Sequence, residues 1–283
     1  MGGNQRMKIS EVIELIKSHH YDEVWGGKID PATTRDKVLY GDIDQECTGI
    51  VTCIYPAIDV IQKAIALHAN LIIPHESLFW NHGDHTDWLQ DDRTFQAKKR
   101  LLEENHIAVW RNHDYIHAGV DWEGKRVDGI FYGLLSELNL AQYMSGSSVP
   151  LILEIPETPV HQLTEYLKEK TGIASFKCIG TLEGSCKRLM IPGHILGKDN
   201  DLITMIENEN IDTLLTMESV DFTTTIYMND SALLGRNRRM ISIGHFNMEE
   251  PGMKWYTENF LPTILPEDLP ASFVKIRDLY QFV

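Results

Sequence analysis

Three short stretches of the chain combine imidazole and carboxylate side chains in a way that suits divalent metal ions. They are Pro74-His75-Glu76, the run His113-Asp114-Tyr115-Ile116-His117 after Arg111-Asn112, and Gly244-His245-Phe246-Asn247-Met248-Glu249. Imidazole and carboxylate together suit zinc, iron or manganese, and the lack of Cys in these stretches argues against a thiolate site. Two pairs stand at i, i+4, His113/His117 and His245/Glu249, a spacing that puts both side chains on one face of a helical turn. A carboxylate such as Glu249 can bridge two ions, which an imidazole normally does not. A single His at a strand end is more often a hydrogen-bonded structural residue than a ligand. What separates these three is a shared placement.

Each follows an apolar run that reads as a strand: Leu71-Ile72-Ile73, Ile107 to Trp110, and Met240 to Ile243. Open α/β sheets bind ligands at the carboxyl edge of their strands, so clusters far apart in sequence can converge there. The fourth cluster, Asn81 to Asp87, follows Phe79-Trp80 with no strand behind it. It reads first as a solvated loop and second as a rim to the site. His19-His20, at a helix end, reads as a solvated cap.

The positioning elements alternate along the chain. A helix opens it, with Ser10 as candidate N-cap and Ile9, Val12, Ile13 and Ile16 at helical spacing. Residues 26–44 are turn-rich, with room for short strands. Strands are expected over 49–54, 71–73, 107–110, 151–155, 188–191, 213–216 and 240–243. Helices are expected over 57–69, 94–105, 127–138, 160–170, 199–208 and 255–265, the last stopped by Pro266. Short apolar strands alternating with helices imply α/β layers around a largely parallel sheet flanked by helices. Tyr143 to Pro150 is the best internal boundary candidate. It gives an amino-terminal part, 1–145, holding two of the loops, and a carboxyl-terminal part, 146–283, holding the Gly-His-x-x-x-Glu loop. The two parts could also form one intertwined unit.

Composition narrows the partners. The 283 residues are 43% hydrophobic, enough for a real core. Formal net charge is −15, from 26 Lys plus Arg against 41 Asp plus Glu. Such a surface repels nucleic-acid phosphates and anionic membranes, and no dense basic run offsets it. Neither nucleic acid nor membrane is an expected partner. Cys47, Cys53, Cys178 and Cys186 contain no C-x-x-C and read as reduced, buried thiols. The start, Met1 to Lys8, has no apolar signal core, and Arg6 stands where a myristoylation motif needs Ser or Thr. A soluble cytoplasmic protein is the expectation. The chain has no G-x-S-x-G, no G-x-x-x-x-G-K-[ST] and no G-x-G-x-x-G after a strand. Pro192 to Gly197 could cradle an anion at a helix start, although a plain turn is the simpler reading.

The three loops, in their order and approximate spacing, resemble those of the Nif-three-like family. Its members carry a dinuclear metal centre, and some bear the name of a type 2 form of GTP cyclohydrolase I. The family's His-His-Pro loop corresponds to His75-Glu76-Ser77, and its His-Thr-x-x-Asp loop to His113 through His117. Its Gly-His-x-x-x-Glu is intact at Gly244 to Glu249. Glu76 stands for a family His and His117 for a family Asp. One imidazole and one carboxylate have thus changed places, which leaves three imidazoles and two carboxylates. The resemblance implies metal ligands His75, Glu76, His117, His245 and Glu249, with two divalent ions per chain. It gives His113 a proton-transfer or supporting role and makes Asp114 a sixth ligand or an acceptor for a ligand imidazole. His113, Asp114 and Glu249 are the candidate catalytic groups. Thr216-Met217-Glu218 matches a family Thr-Gly-Glu/Asp segment with the Gly lost. The resemblance also implies two linked α/β domains, metal at the carboxyl ends of strands, and a homo-hexamer.

The function these expectations define is metal-dependent hydrolysis of a nucleotide-like or heterocyclic small molecule, with ring opening as the reaction the family name suggests. A non-catalytic metal-binding or protein-interaction role is the alternative.

Overall fold

Ile50–Cys53, Leu71–Pro74 and Ala108–Trp110 are buried at every position, the pattern of strands covered on both faces. They pair in parallel in a computed structural model that describes residues 7–146, 148–197, 199–276 and 279–280. The readings at Met1 to Arg6, and Ser147 within the boundary candidate, lie outside the described residues. The chain is a mixed α/β protein that divides into two compact units.

The first unit comprises the described residues of Met1–Gly133 and Met253–Arg277. Its five-stranded sheet adds Ala271–Phe273, parallel to Ile50–Cys53, and Val38–Tyr40, antiparallel to Ala108–Trp110. Helix Ile9–Ser18 buries Ile9, Val12, Ile13 and Ile16, the expected face. Its N-cap is Lys8 rather than Ser10. The Lys8 N–H donates to Glu11 Oε2 at 2.8 Å, while the Ser10 N–H goes to the Ile43 carbonyl. His20 is packed, not a solvated cap. Its Nδ1 donates to the Ile16 carbonyl at 2.7 Å, and its Nε2 accepts from the Tyr256 hydroxyl at 3.0 Å. Burial lowers its pKa to about 4 and keeps it neutral.

The second unit comprises the described residues of Leu134–Gly252 and Asp278–Val283. The first unit thus runs to Gly133 and the second begins at Leu134. Residues 253–277 join the first unit because Met253, Trp255, Tyr256, Phe260 and Leu261 fill its core. The second sheet is mixed. Ser185–Ile191, Thr213–Thr216 and Arg239–Ser242 run parallel at its centre. Leu151–Pro159 and Lys177–Gly180 flank them antiparallel. Leu151–Pro159 alternates buried with more exposed positions over its first half, as a strand with one wet face does, so it needs no covering crossover. Met190, Ile206, Leu214, Met228 and Met240 pack together under helices Asn200–Asn208 and Thr224–Leu233.

Several elements depart from expectation. Residues 125–127 form a hairpin with Val120–Trp122, and the next helix starts only at Phe131. Asp128 sets that start by accepting from the Ile130 and Phe131 N–H groups. The helix expected at 255–265 begins instead at His245 and runs to Trp255, with Pro251 inside it. A π turn, Tyr256–Phe260, and a 3-10 turn, Leu261–Thr263, follow. Helix Thr224–Leu233 and strand Ala271–Phe273 have weak local patterns and are not anticipated. Among the described residues no helix is long and apolar enough to cross a membrane.

Candidate metal centre

The sequence-predicted donors come from both units. In the first unit the backbone ladder carries the loop beyond the strand end. The His75 N–H donates to the Cys53 carbonyl and the Glu76 N–H to the Ile54 carbonyl. The Asn112 N–H likewise meets the Pro74 carbonyl at 3.0 Å. His75, His113 and His117 are thereby gathered, with one donor atom from each lying within 4.8 Å of the others. Glu76 places a carboxylate oxygen within the same distance of a His75 ring nitrogen. His75 and His113 stack, with centroids 4.5 Å apart and planes 17° from parallel.

The orientation of each imidazole is set from behind. His75 Nδ1 donates to the Asn112 carbonyl at 3.2 Å, His113 Nδ1 to Asp114 Oδ1 at 2.9 Å, and His117 Nδ1 to Asp128 Oδ2 at 2.9 Å. With the proton on Nδ1, a neutral ring keeps its lone pair on Nε2, the arrangement that metal-binding histidines adopt. Burial holds His75 well below the usual imidazole range, helped by the neighbouring His113, His117 and Arg111. Burial also takes His113 down to about 3. Both rings are neutral at physiological pH, and at His113 this favours a donor role over one that passes through an imidazolium. Asp114 accepts from Thr34 Oγ1, the Arg35 N–H and His113. Although burial opposes it, these donors hold its carboxyl well below the usual range, so it backs His113.

Several supporting residues escape sequence reasoning. The side chain of Arg111 is fully buried. It donates to the His75 carbonyl at 3.0 Å, the His82 carbonyl at 3.0 Å, Asp84 Oδ2 at 3.1 Å and Glu76 Oε2 at 2.8 Å. It ties the Asn81 to Asp87 loop to the donor loop, and so gives that cluster the rim position. Asp36 accepts the N–H groups of His113, Asp114 and Tyr115, capping the short helix Asp114–Ala118 from outside its own sequence. Burial lifts its pKa to about 6 against the pull of these three donors. Lys98, buried in an aromatic surround of Tyr55, Phe79 and Trp80, donates to the Leu78 carbonyl at 2.6 Å and anchors the far end of the loop.

Asp128 offers a direct check on this orientation. Asp128→Asn turns an amide donor toward His117 Nδ1 and favours the wrong tautomer. Metal affinity should fall by about 10- to 100-fold, the usual cost of losing such a partner. Competition with a chromophoric chelator measures it, and an unchanged affinity would remove His117 from the donor set.

In the second unit three parallel strands end on the same edge. Ser185–Ile191 leads to His194, Thr213–Thr216 to Glu218, and Arg239–Ser242 to His245. Gly244 turns the chain into the helix at φ 93°, a value glycine accommodates. Glu218 Oε1 lies 3.0 Å from His194 Nδ1 and 3.3 Å from His245 Nδ1. On its other side His245 Nε2 lies 3.0 Å from Glu249 Oε2. Burial works against a charged His245, but Glu218 and Glu249 outweigh it and push the pKa to about 11. The two carboxylates thus hold a positive charge between them, which marks a place suited to a cation. His194, Glu218 and His245 form a group of metal-type donors. Sequence reading noted Pro192 to Gly197 and Thr216-Met217-Glu218 but gave neither His194 nor Glu218 a donor role. The signal was available, since both directly follow parallel strands as His75 and His245 do.

Fold and donor chemistry together define a mixed α/β protein with imidazole–carboxylate groups, able to hold metal ions, at strand ends. A model of the Duf34/NIF3 (NGG1p interacting factor 3) family matches residues 36–276, and the chain belongs to that family. A curated relative from Staphylococcus epidermidis, named GTP cyclohydrolase 1 type 2 homolog, is 25% identical over 175 residues. The match covers 58% of this chain and 42% of the relative, so the chain spans less than half the length of that protein. A Staphylococcus aureus hypothetical protein shares the fold with a TM-score of 0.70 and 15% identity, over 98% of this chain and 100% of the other. A Bacillus cereus protein related to NIF3 does so at 0.69 and 14%, over 99% and 100%.

Proposed function

We propose that the chain is a divalent-metal-dependent hydrolase of nucleotide-like or heterocyclic small molecules. The observation that carries this reading is the uniform anchoring of His75, His113 and His117 through Nδ1, with one donor atom of each gathered in one group. Such anchoring fits a first-row divalent ion, as does the paired-carboxylate setting of His245. The proposed ligands are His75, Glu76, His117, His245 and Glu249. Five donors exceed what one tetrahedral ion takes, so up to two ions per chain are expected. When bound, such ions supply Lewis acidity toward water and toward the developing oxyanion. Around them, His113 presents a neutral nitrogen oriented by Asp114, and Glu249 offers a carboxylate able to bridge. The nucleotide-like substrate rests on the name of the curated relative. A homo-hexamer in the cytoplasm completes the proposal, and a stable monomer in light scattering would overturn the assembly.

Elemental analysis of untagged protein, followed by turnover assays on nucleotides and phosphate esters, tests the reading. Chelation should abolish turnover, and Glu249→Gln should lower kcat/KM by about a hundredfold or more. Turnover that survives chelation overturns the hydrolase, and loading that never exceeds one ion overturns the pair. The family description, an interacting factor, favours a second reading of partner binding without turnover. Metal-loaded protein inert toward every ester and nucleotide would support it.

A further inference from the structure

Strands Glu23–Val24 and Gly27–Lys28 form a hairpin closed by a two-residue turn, Trp25-Gly26. Both turn residues have positive φ, 50° at Trp25 and 79° at Gly26. Turns of this kind take Asn, Asp or Gly, and a bulky aromatic in the left-handed region is costly. The core does not explain the choice, because Trp25 is 62% exposed and both short strands lie at the surface. Its ring instead lies against the donor group of the first unit, with centroids 5.7 Å from His117 and 5.9 Å from His113. The hairpin is held there by the Tyr21 N–H to the Gly119 carbonyl at 3.0 Å and by Arg126 on the Glu23 carbonyl.

A guanidinium stands beside it. Arg35 Cζ is 5.7 Å from the Trp25 ring centroid. Its Nε donates to His82 Nε2 and its Nη1 to Asp114 Oδ1 at 3.2 Å, so the group is oriented rather than free-swinging. Its side chain remains 37% exposed, and Nη2 makes no hydrogen bond among the described residues. In a chain of net charge −15, a part-exposed guanidinium at the rim of the donor group gives an anion a cationic contact.

We infer that Trp25 and Arg35 form the recognition subsite of the first unit for a planar aromatic ligand that carries an anionic group. Trp25 offers its indole face to the ring, and Arg35 Nη2 donates to the anion, leaving the reactive part of the ligand toward His113 and His117. The inference rests on the proposed substrate-handling role of that donor group, which it sharpens by naming what holds the ligand. Stacking a base on an aromatic side chain strengthens binding by about tenfold or more.

The test is calorimetric binding of guanosine 5′-monophosphate to metal-loaded protein, with guanosine and ribose 5-phosphate as half-ligands. Trp25→Ala should weaken the nucleotide and guanosine by about tenfold while leaving ribose 5-phosphate and metal content unchanged, and Trp25→Phe should recover most of the loss. Arg35→Gln should weaken the nucleotide and ribose 5-phosphate but not guanosine. Nucleotide binding that is undetectable in the wild type, or equal in wild type and Trp25→Ala, overturns the inference. So does a fall in metal content in Trp25→Ala, which would make the indole a structural cover. Selective loss of the nucleotide in Trp25→Ala supports it even in a preparation without turnover, so it stands or falls separately from the hydrolase reading.

Discussion

Arg111→Met should lower the unfolding free energy of the metal-free protein by about 3–5 kcal/mol, the usual cost of breaking a buried charge pair. The side chain is fully buried and neutralises Glu76 and Asp84 together while holding two carbonyls. Removing it leaves two largely buried carboxylates without their cation. Arg111→Lys should restore little, because a single ammonium cannot present the guanidinium fork to four acceptors. Urea unfolding in the presence of chelator reads the effect. A loss below about 1 kcal/mol would mean that water replaces the guanidinium freely and that the donor loop is not built upon it.

Changes at Glu76 and His117 should prove strongly coupled in metal binding, each single change costing more than the pair. Both place a donor atom within 4.8 Å of one on His75. Glu76→His alone leaves four imidazoles with one carboxylate and sets an imidazole against Arg111. Manganese affinity should fall by at least about tenfold, and zinc affinity by less, because carboxylate suits manganese and imidazole suits zinc. His117→Asp alone places a carboxylate against Asp128, 2.9 Å from the present ring nitrogen, and should raise the demand for positive charge. The double variant restores the balance of donors and should recover much of the lost affinity, since residues sharing a site are not additive. Recovery should remain incomplete, because Arg111 still lacks its Glu76 partner. Metal affinities of the wild type, both single variants and the double variant decide the matter. Simple addition of the two single effects would show that these side chains serve no common ion.

Reading the sequence by itself determined the alternation of strands and helices, the strand ends at Ile73, Trp110 and Ile243 to within one residue, and the donor types gathered after them. These are legible because they are local. Apolar runs announce strands, and an i, i+4 spacing announces a shared helical face whatever lies elsewhere. The tertiary structure alone decided what orients and charges those donors. Asp36 caps His113 across 77 residues, Arg111 reaches Glu76 across 35, and Glu218 meets His245 across 27. No local pattern marks an aspartate in a turn-rich stretch as the cap of a helix eight elements later. Strand Ala271–Phe273 and the membership of residues 253–277 in the first unit were hidden for the same reason, because it is the sheet edge at Ile50–Cys53 and the core around Ile9 and Trp110 that recruit them. The raised pKa of His245 and the lowered pKa of His75 belong to the tertiary structure as well. Burial and distant charges set both, and neither exists until the strands have brought those groups together.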